Sequence, residues 1–330
     1  MTDESQKLLS IVVIGLNEEA RLKASLEAVV GERPTGYALD VLYVDSGSTD
    51  RSLEIADAVP GVRVLRLEGK PSAARARNLG LRHARGRYVQ LVDGDSVVEP
   101  GWLEKAVRVL DRRPEISCVF GQCIEMHPDQ SIYMKVCGLD WHVPAGERRF
   151  CGGNSMWRTA VIVENGFFDE ALQVGEEPDL CYRVRQSGGR ILCLDDPMVT
   201  HDLGMHHFSQ YWRRSVASGN AYASIAMRFR RDPEKMWYRE MLVNFVEPAI
   251  WFVILLAGWQ LFGGALALTL ILAWWLVRAL QIAYKLRDRN VGLMTALMYG
   301  IHCQFARLPA AIGQAKALMA ARRPQPKGSS

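Results

Sequence analysis

The sequence predicts an α/β fold, a mostly parallel sheet with helices on both faces, followed by a C-terminal α-helical membrane region. Three observations carry that expectation. Short apolar, β-branched runs alternate with amphipathic segments through the first part of the chain. Polar groups close those runs at matching places: Asn17, Asp45 and the pair Asp93 and Asp95. Farther on, Pro248 to Val277 reads PAIWFVILLAGWQLFGGALALTLILAWWLV, without a single formal charge.

Taken in order, LLSIVVIGL (8–16) is the first strand, and Leu22, Leu26, Val29 and Val30 then mark one face of a helix. ALDVLYVDSGSTD is a second strand ending in acids, Ser and Gly, with a helix beginning near Asp50 and capped by Asp50 or Thr49. VRVLRLEG is a third strand. AARARNLGLRHARG is a helix stopped at Gly86, and YVQLVDGD is a fourth strand. In open α/β sheets ligands bind beyond the carboxyl ends of the strands, which is where Asn17, Asp45, Asp93 and Asp95 fall.

Length and composition bound the rest. The 330 residues suffice for one large domain or two ordinary ones, and 23% charged with 49% hydrophobic residues is a globular composition. A net charge of +4 gives no argument for a nucleic-acid partner. Seven cysteines form no CxxC pair and no zinc spacing, so they read as free thiols in a reducing compartment. The polar start MTDESQKLLS does not resemble a signal peptide.

The uncharged run is too long for one span of about 20 residues. Gln260 and the pair Gly263 and Gly264 divide it into a hairpin of two helices, near 242–262 and 264–284. Arg228, Arg230, Arg231, Lys235 and Arg239 precede it, and Lys285, Arg287 and Arg289 follow it, which puts both ends on the cytoplasmic side of an inner membrane. VGLMTALMYGIHCQFA (291–306) is shorter and reads as interfacial, re-entrant or packed against the hairpin. A buried hairpin of a soluble protein is the competing reading. The expected division is 1–202 for the α/β domain, 203–240 for basic interfacial helices, 241–323 for the membrane region and 324–330 for a disordered tail.

Several constellations carry chemistry. Asp93 and Asp95 at a strand end repel each other unless a cation lies between them, and hard ions such as Mg²⁺ or Mn²⁺ suit carboxylates plus phosphates. Taken alone, such a pair is as often a solvated Asp-Gly turn. Asp45 is a candidate acceptor for a base or ribose, whereas Ser48 and Asp50 read as turn and cap residues. Among the arginines of the following helix, Arg75 or Arg77 suits a pyrophosphate. In GEEPDLCYRVRQSGG (175–189), Glu176, Glu177 and Asp179 complement the positive end of a helix that Pro178 helps to start, or one of them serves as a general base. His201 by itself is more often structural than a ligand.

In order and spacing these segments resemble the family 2 glycosyltransferases of GT-A fold, a Rossmann-like nucleotide-sugar-binding architecture, over residues 8–202. The resemblance rests on IVVIGLNEEARL, VDSGSTD, ARARNLGLRHARGRYVQLVDGDS, CGGNSMWRTAVIVENGFFDEAL and GEEPDLCYRVRQSGGRI. It implies an inverting, metal-dependent hexosyltransferase using a nucleotide-diphosphate sugar, most readily a UDP-sugar. Asn17, Glu18, Asp45, Arg75, Arg77 and Asp93 would bind the donor, and Asp93, Asp95 and His201 would hold Mg²⁺ or Mn²⁺. Glu177 falls at the base position, where the family has Asp, with Glu176 beside it and Asp179 as the near rival. The acceptor is expected to be lipid-linked or of polyprenyl type, at the membrane, in polysaccharide or glycolipid synthesis; homo-oligomerisation stays open. FSQYWRRS departs from the QxxRW of processive synthases, because Arg follows Arg213 and the tryptophan is displaced to Trp212. The alternatives are a polyprenyl-phosphate sugar synthase, a short-polymer synthase, or an inactive membrane scaffold that keeps the nucleotide fold.

Overall fold

The computed structural model describes residues 7–172, 174–289 and 291–321, so the expected tail at 324–330 lies outside the described residues. The described residues divide into two compact units, residues up to Met126 with Asp140–Leu203, and His127–Leu139 with the residues from Gly204 on.

The first unit begins with β1 (Lys7–Gly15), α1 (Leu22–Gly31), β2 (Tyr37–Asp45), α2 (Ser52–Ala58), β3 (Val62–Arg66), α3 (Ala73–His83) and β4 (Tyr88–Asp93). β5 (Ser96–Val98), α4 (Trp102–Arg112) and β6 (Ile116–Glu125) follow, and α5 (Ile132–Gly138) belongs to the second unit. β7 (Gly146–Arg148), β8 (Ser155–Arg158), α6 (Thr159–Glu164), α7 (Glu176–Gln186) and β9 (Arg190–His201) complete the first. One sheet joins the strands in the order β3-β2-β1-β4-β8-β6-β9-β5, with β7 on β9. β1 lies between β2 and β4, so it is buried from Leu9 onward and reads as a continuous apolar run. Helix α3 packs closely on it, because a Cβ on Gly80 would come within 2.3 Å of a Val12 methyl carbon.

The expected sheet was mostly parallel; the observed one is mixed. β3-β2-β1-β4 and β6/β9 are parallel, while β4/β8, β6/β8, β5/β9 and β7/β9 are antiparallel. Side-chain alternation along one strand is the same in both arrangements, so partner direction is settled by which distant segment arrives. The registers Gly15↔Asp45 and Ile14↔Asp93 end β1, β2 and β4 at one level. The antiparallel pairing Ser96↔His201 carries His201 from the last strand to the same edge.

The second unit adds α8 (Phe208–Arg228), α9 (Tyr238–Phe262), α10 (Gly264–Lys285), α11 (Leu293–Phe305) and α12 (Arg307–Ala321). Gln210 of the FSQYWRRS segment is structural: its Oε1 accepts from the His206 and His207 amides, and its Nε2 donates to the Gly204 carbonyl, capping α8. α9 and α10 are long and apolar enough to cross a membrane. The break between them is at Gly263, whose φ of +84° favours glycine. Phe252, Leu256, Trp259 and Leu261 stand exposed on α9. With 13 residues, α11 rises about 20 Å, short of a hydrocarbon core of about 30 Å. It packs along α10 instead, Gly300 lying against Ala279.

Glycines also let α8 and α12 touch. A Cβ on Gly313 would come within 2.0 Å of the Val216 carbonyl oxygen, and one on Gly219 would meet Ala310 as closely. Gly313→Val should therefore force the helices apart and cost about 1–3 kcal/mol. A fall of several degrees in the thermal midpoint of the detergent-solubilised full chain reads this out.

Candidate active site

Three loops meet beyond the carboxyl ends of β1, β2 and β4. Asn17 takes a φ of +59°, a conformation asparagine tolerates better than most residues, and its Oδ1 accepts from the Thr49 amide at 2.8 Å. Its own amide donates to Ser48 Oγ at 2.9 Å, and the Glu18 amide donates to Ser52 Oγ at 2.8 Å. The loop after β1 is thus latched to the VDSGSTD turn. Asp45, buried, accepts from the amides of Gly47 and Ser48 at 2.9 Å each and from the Tyr43 hydroxyl at 3.2 Å. The carboxylate expected at a base or ribose holds its own turn together here.

A cleft of about 350 Å³ opens between these loops, lined by Glu18, Ser46, Ser72, Asp93, Asp95 and His201 among others. His201 Nε2 lies 3.2 Å from Asp95 Oδ1, and the Trp141 ring meets the imidazole edge-on at 4.7 Å between centroids. Burial alone would push the Asp95 carboxyl up, but the His201 hydrogen bond and charge outweigh it and hold it below its ordinary value. Glu18 is pushed up to about 7 by burial and by the Asp95 charge, against the opposing pull of Arg21, 2.9 Å away.

Arg77 connects this cleft to the acidic end of α7. It is 3% exposed; Nη2 donates to Asp93 Oδ1 at 2.8 Å, and Nη1 to Glu176 at 2.8 Å and Glu177 at 3.3 Å. Burial lowers its pKa, yet the charges of Asp93, Glu177 and Glu176 outweigh that and keep the guanidinium ionised. Glu177 is pushed up to about 7, mainly by burial and the neighbouring Glu176 and Asp93 charges, with Arg77 opposing them. The arginine expected at a pyrophosphate is therefore an internal clamp on three carboxylates. Arg75, the other candidate, donates to the Glu68 and Lys70 carbonyls and closes the loop ahead of α3. Asp179 is fully buried and gripped by Arg183 at 2.8 Å.

Residues given no role from sequence complete the clamp. Asn154 Oδ1 accepts from the Asp93 amide at 2.9 Å, fixing the end of β4. Gly153 lies where a Cβ would come within 2.4 Å of Arg77 Nη2 and 2.8 Å of Asp93 Oδ2. The signal was present in CGGNS, a Gly pair and a turn-forming Asn just before a strand. Gly153→Ala should displace Arg77 and lower thermal stability by about 1–3 kcal/mol, with a parallel loss of ligand affinity in the cleft.

Residues 10–152 match the family model described as glycosyl transferase family 2. They form a family 2 glycosyltransferase domain. The chain is 29% identical over 180 residues to glycosyltransferase GlyG of Streptococcus pneumoniae, covering 50% of this chain and 59% of that protein. It is 24% identical over 238 residues to a pre-mycofactocin glycosyltransferase of Mycobacterium tuberculosis, covering 68% of this chain and 48% of that one. The chain thus spans about half the length of these curated relatives. A mannosyltransferase of Pyrobaculum calidifontis, solved in complex with GDP-Man and Mn²⁺, has the same fold, with a TM-score of 0.61, 17% identity and coverage of 95% of this chain and 88% of that one. The sheet of the glycosyltransferase domain is accordingly of GT-A type. Within it, the family match takes in Asp45, Arg77, Asp93 and Asp95, whereas Asn154, Glu177 and His201 lie beyond residue 152.

Proposed function

We propose that the chain is an inverting glycosyltransferase that moves a sugar from a nucleotide-diphosphate donor to a hydroxyl of a lipid-linked acceptor at the cytoplasmic face of a membrane. The observation that carries this is the joining of two acidic groups by one buried arginine. Arg77 bridges Asp93, in the cleft, to Glu176 and Glu177 at the start of α7.

The cleft suits a hard divalent cation. The carboxylates of Asp93 and Asp95 and the His201 imidazole line one space together with Glu18, and among the described residues Asp93 Oδ2 is met by a long contact of 3.5 Å from Asn154. Asp93, Asp95 and unprotonated His201 would hold Mg²⁺ or Mn²⁺. Bound there, the ion would supply positive charge to the departing diphosphate. Glu177 accepts the proton of the acceptor hydroxyl, whose oxygen bonds to the anomeric carbon as the bond to the diphosphate breaks. One displacement needs one base, and the configuration inverts. Arg77 keeps Glu177 near Asp93 and limits how far its pKa rises. Helices α9 and α10, flanked by basic residues, support a membrane location, and the mannosyltransferase complex with GDP-Man and Mn²⁺ supports a nucleotide-sugar donor with a divalent cation.

Calorimetric titration of the detergent-purified full chain with UDP, GDP, CMP and dTDP, with and without Mn²⁺, tests this. One nucleotide should bind in a manganese-dependent way, and Asp95→Ala should abolish that binding. Absence of binding by every nucleotide would overturn the reading in favour of a scaffold.

A further inference from the structure

The helical unit holds a polar cluster that the proposed glycosyl transfer does not use. Glu247 in α9 is largely buried and paired with Arg307 of α12, and Arg278 of α10 lies 3.8 Å from the same carboxylate. One carboxylate facing two guanidiniums leaves a formal surplus of one positive charge. One turn farther along the same two helices, the Trp251 and Trp275 rings meet edge-on at 5.1 Å between centroids. The indole N–H groups of both, Arg278 Nε, and the Gln304 amide are buried without a hydrogen-bond partner among the described residues. Gln304, at the end of α11 and three residues before Arg307, is 0% exposed. Trp275 lies 6.5 Å from Phe305, centroid to centroid, which brings the end of α11 to the same side of α10.

A count of hydrogen-bonding capacity shows what is missing. Trp and Arg only donate, so Trp251, Trp275 and Arg278 leave three donor groups to which Gln304 adds a further one. Against them stands one unmatched amide oxygen, Gln304 Oε1; Glu247 Oε2 and Arg307 Nη1, which also lack a hydrogen bond, are set against each other as an ion pair. Buried donors without acceptors cost about 1–3 kcal/mol each, and ionisable groups set among apolar helices are rare unless they serve a site. The surplus calls for an acceptor that is anionic and offers several oxygens. A phosphate does both, and guanidinium with indole N–H groups is a suitable donor set for it.

We propose that Arg278, Arg307, Trp251 and Trp275 bind the phosphate of an anionic lipid between α9, α10 and α11. Glu247 and Arg278 stand in the N-terminal half of α9 and the C-terminal half of α10, with Trp251 and Trp275 one turn farther toward the middle of each helix; the ends on that side are flanked by Arg239, Lys285 and Arg287, as a headgroup reaching in from the membrane surface requires. This site is separate from the nucleotide cleft and does not depend on glycosyl transfer; it requires only that α9 and α10 lie in a bilayer.

Native mass spectrometry of the full chain in neutral detergent, titrated with phosphatidylglycerol, phosphatidylcholine or inorganic phosphate, tests it. One phosphatidylglycerol per chain should be retained in preference to phosphatidylcholine. Arg278→Gln should weaken that binding at least tenfold. Trp275→Phe, which keeps the ring and removes only the N–H, should weaken it several-fold without unfolding the protein. Arg289→Gln, an exposed basic residue just past the same helix, should leave it unchanged. Competition by millimolar inorganic phosphate would show that the headgroup phosphate is the recognised element; failure to compete, with the variant pattern intact, would show that the acyl chains contribute as well. Equal losses for Arg278→Gln and Arg289→Gln, or equal retention of the two lipids, would overturn the site in favour of a diffuse basic surface. Loss of nucleotide binding with lipid retention intact would count against the transferase reading alone.

Discussion

Arg77→Met should destabilise the protein by about 3–5 kcal/mol at pH 8, more than any other substitution in the cleft. The methionine fills much of the space but leaves Asp93, Glu176 and Glu177 without the cation that now contacts all three. Like charges held together in a buried place either take up protons or push apart. The sign with pH follows from that. Without Arg77, ionising the clustered carboxylates costs more in the fold than in the unfolded chain, so the variant loses stability as pH climbs through the range in which they ionise. The penalty should thus shrink toward pH 5 and be greatest above neutrality. Arg77→Lys restores one charge but cannot reach three oxygens through a planar fork, and should recover only part of the loss. Chemical denaturation of the detergent-solubilised full chain at pH 5.5 and pH 8 measures both. Equal stability of Arg77→Met and the parent at pH 8 would contradict the assignment of Arg77 as the clamp.

Glu177→Gln should lower the rate of transfer by about 10²–10⁴-fold with little change in nucleotide affinity, as expected for loss of a general base. The side chain keeps its shape and can still receive a hydrogen bond from Arg77, so the cleft should stay assembled. In the parent the base works only when ionised. With its pKa raised to about 7, the rate should climb as pH passes through about 7 and level off above it. In Glu177→Gln that rise should vanish. Asp179→Asn separates the rival base: its carboxylate is engaged by Arg183 inside the fold, so the expected effect is on stability, with the pH profile kept. A pH profile unchanged in Glu177→Gln and lost in Asp179→Asn would reverse the two roles.

Much of this arrangement was legible in the sequence because it is local. A strand that ends in a polar turn advertises its carboxyl end, and residues one or two apart, such as Asp93 and Asp95, are bound to share it. The helical hairpin was legible for a similar reason: thirty uncharged residues broken by a glycine pair leave few other solutions. The partners of Asp45 also lie within three residues of it, so its hold on the turn is local, beside the ligand contact expected of it. Arg75 and Arg77 were indistinguishable by type and differ only in what surrounds them. One turns back to the carbonyls of its own loop, and the other reaches carboxylates as far as 100 residues away.

The amino-acid sequence alone determined the strand ends, the DGD pair, the acidic start of α7 and the apolar hairpin, since each depends on neighbours along the chain. Only the tertiary structure decided that β5 pairs antiparallel with β9 and sets His201 beside Asp95. It also decided that Gly153 leaves room for Arg77 against Asp93, and that Glu247 is met by arginines from two other helices. These are contacts between distant segments. Their geometry depends on strand direction, register and close approach of backbones, none of which a periodic pattern encodes.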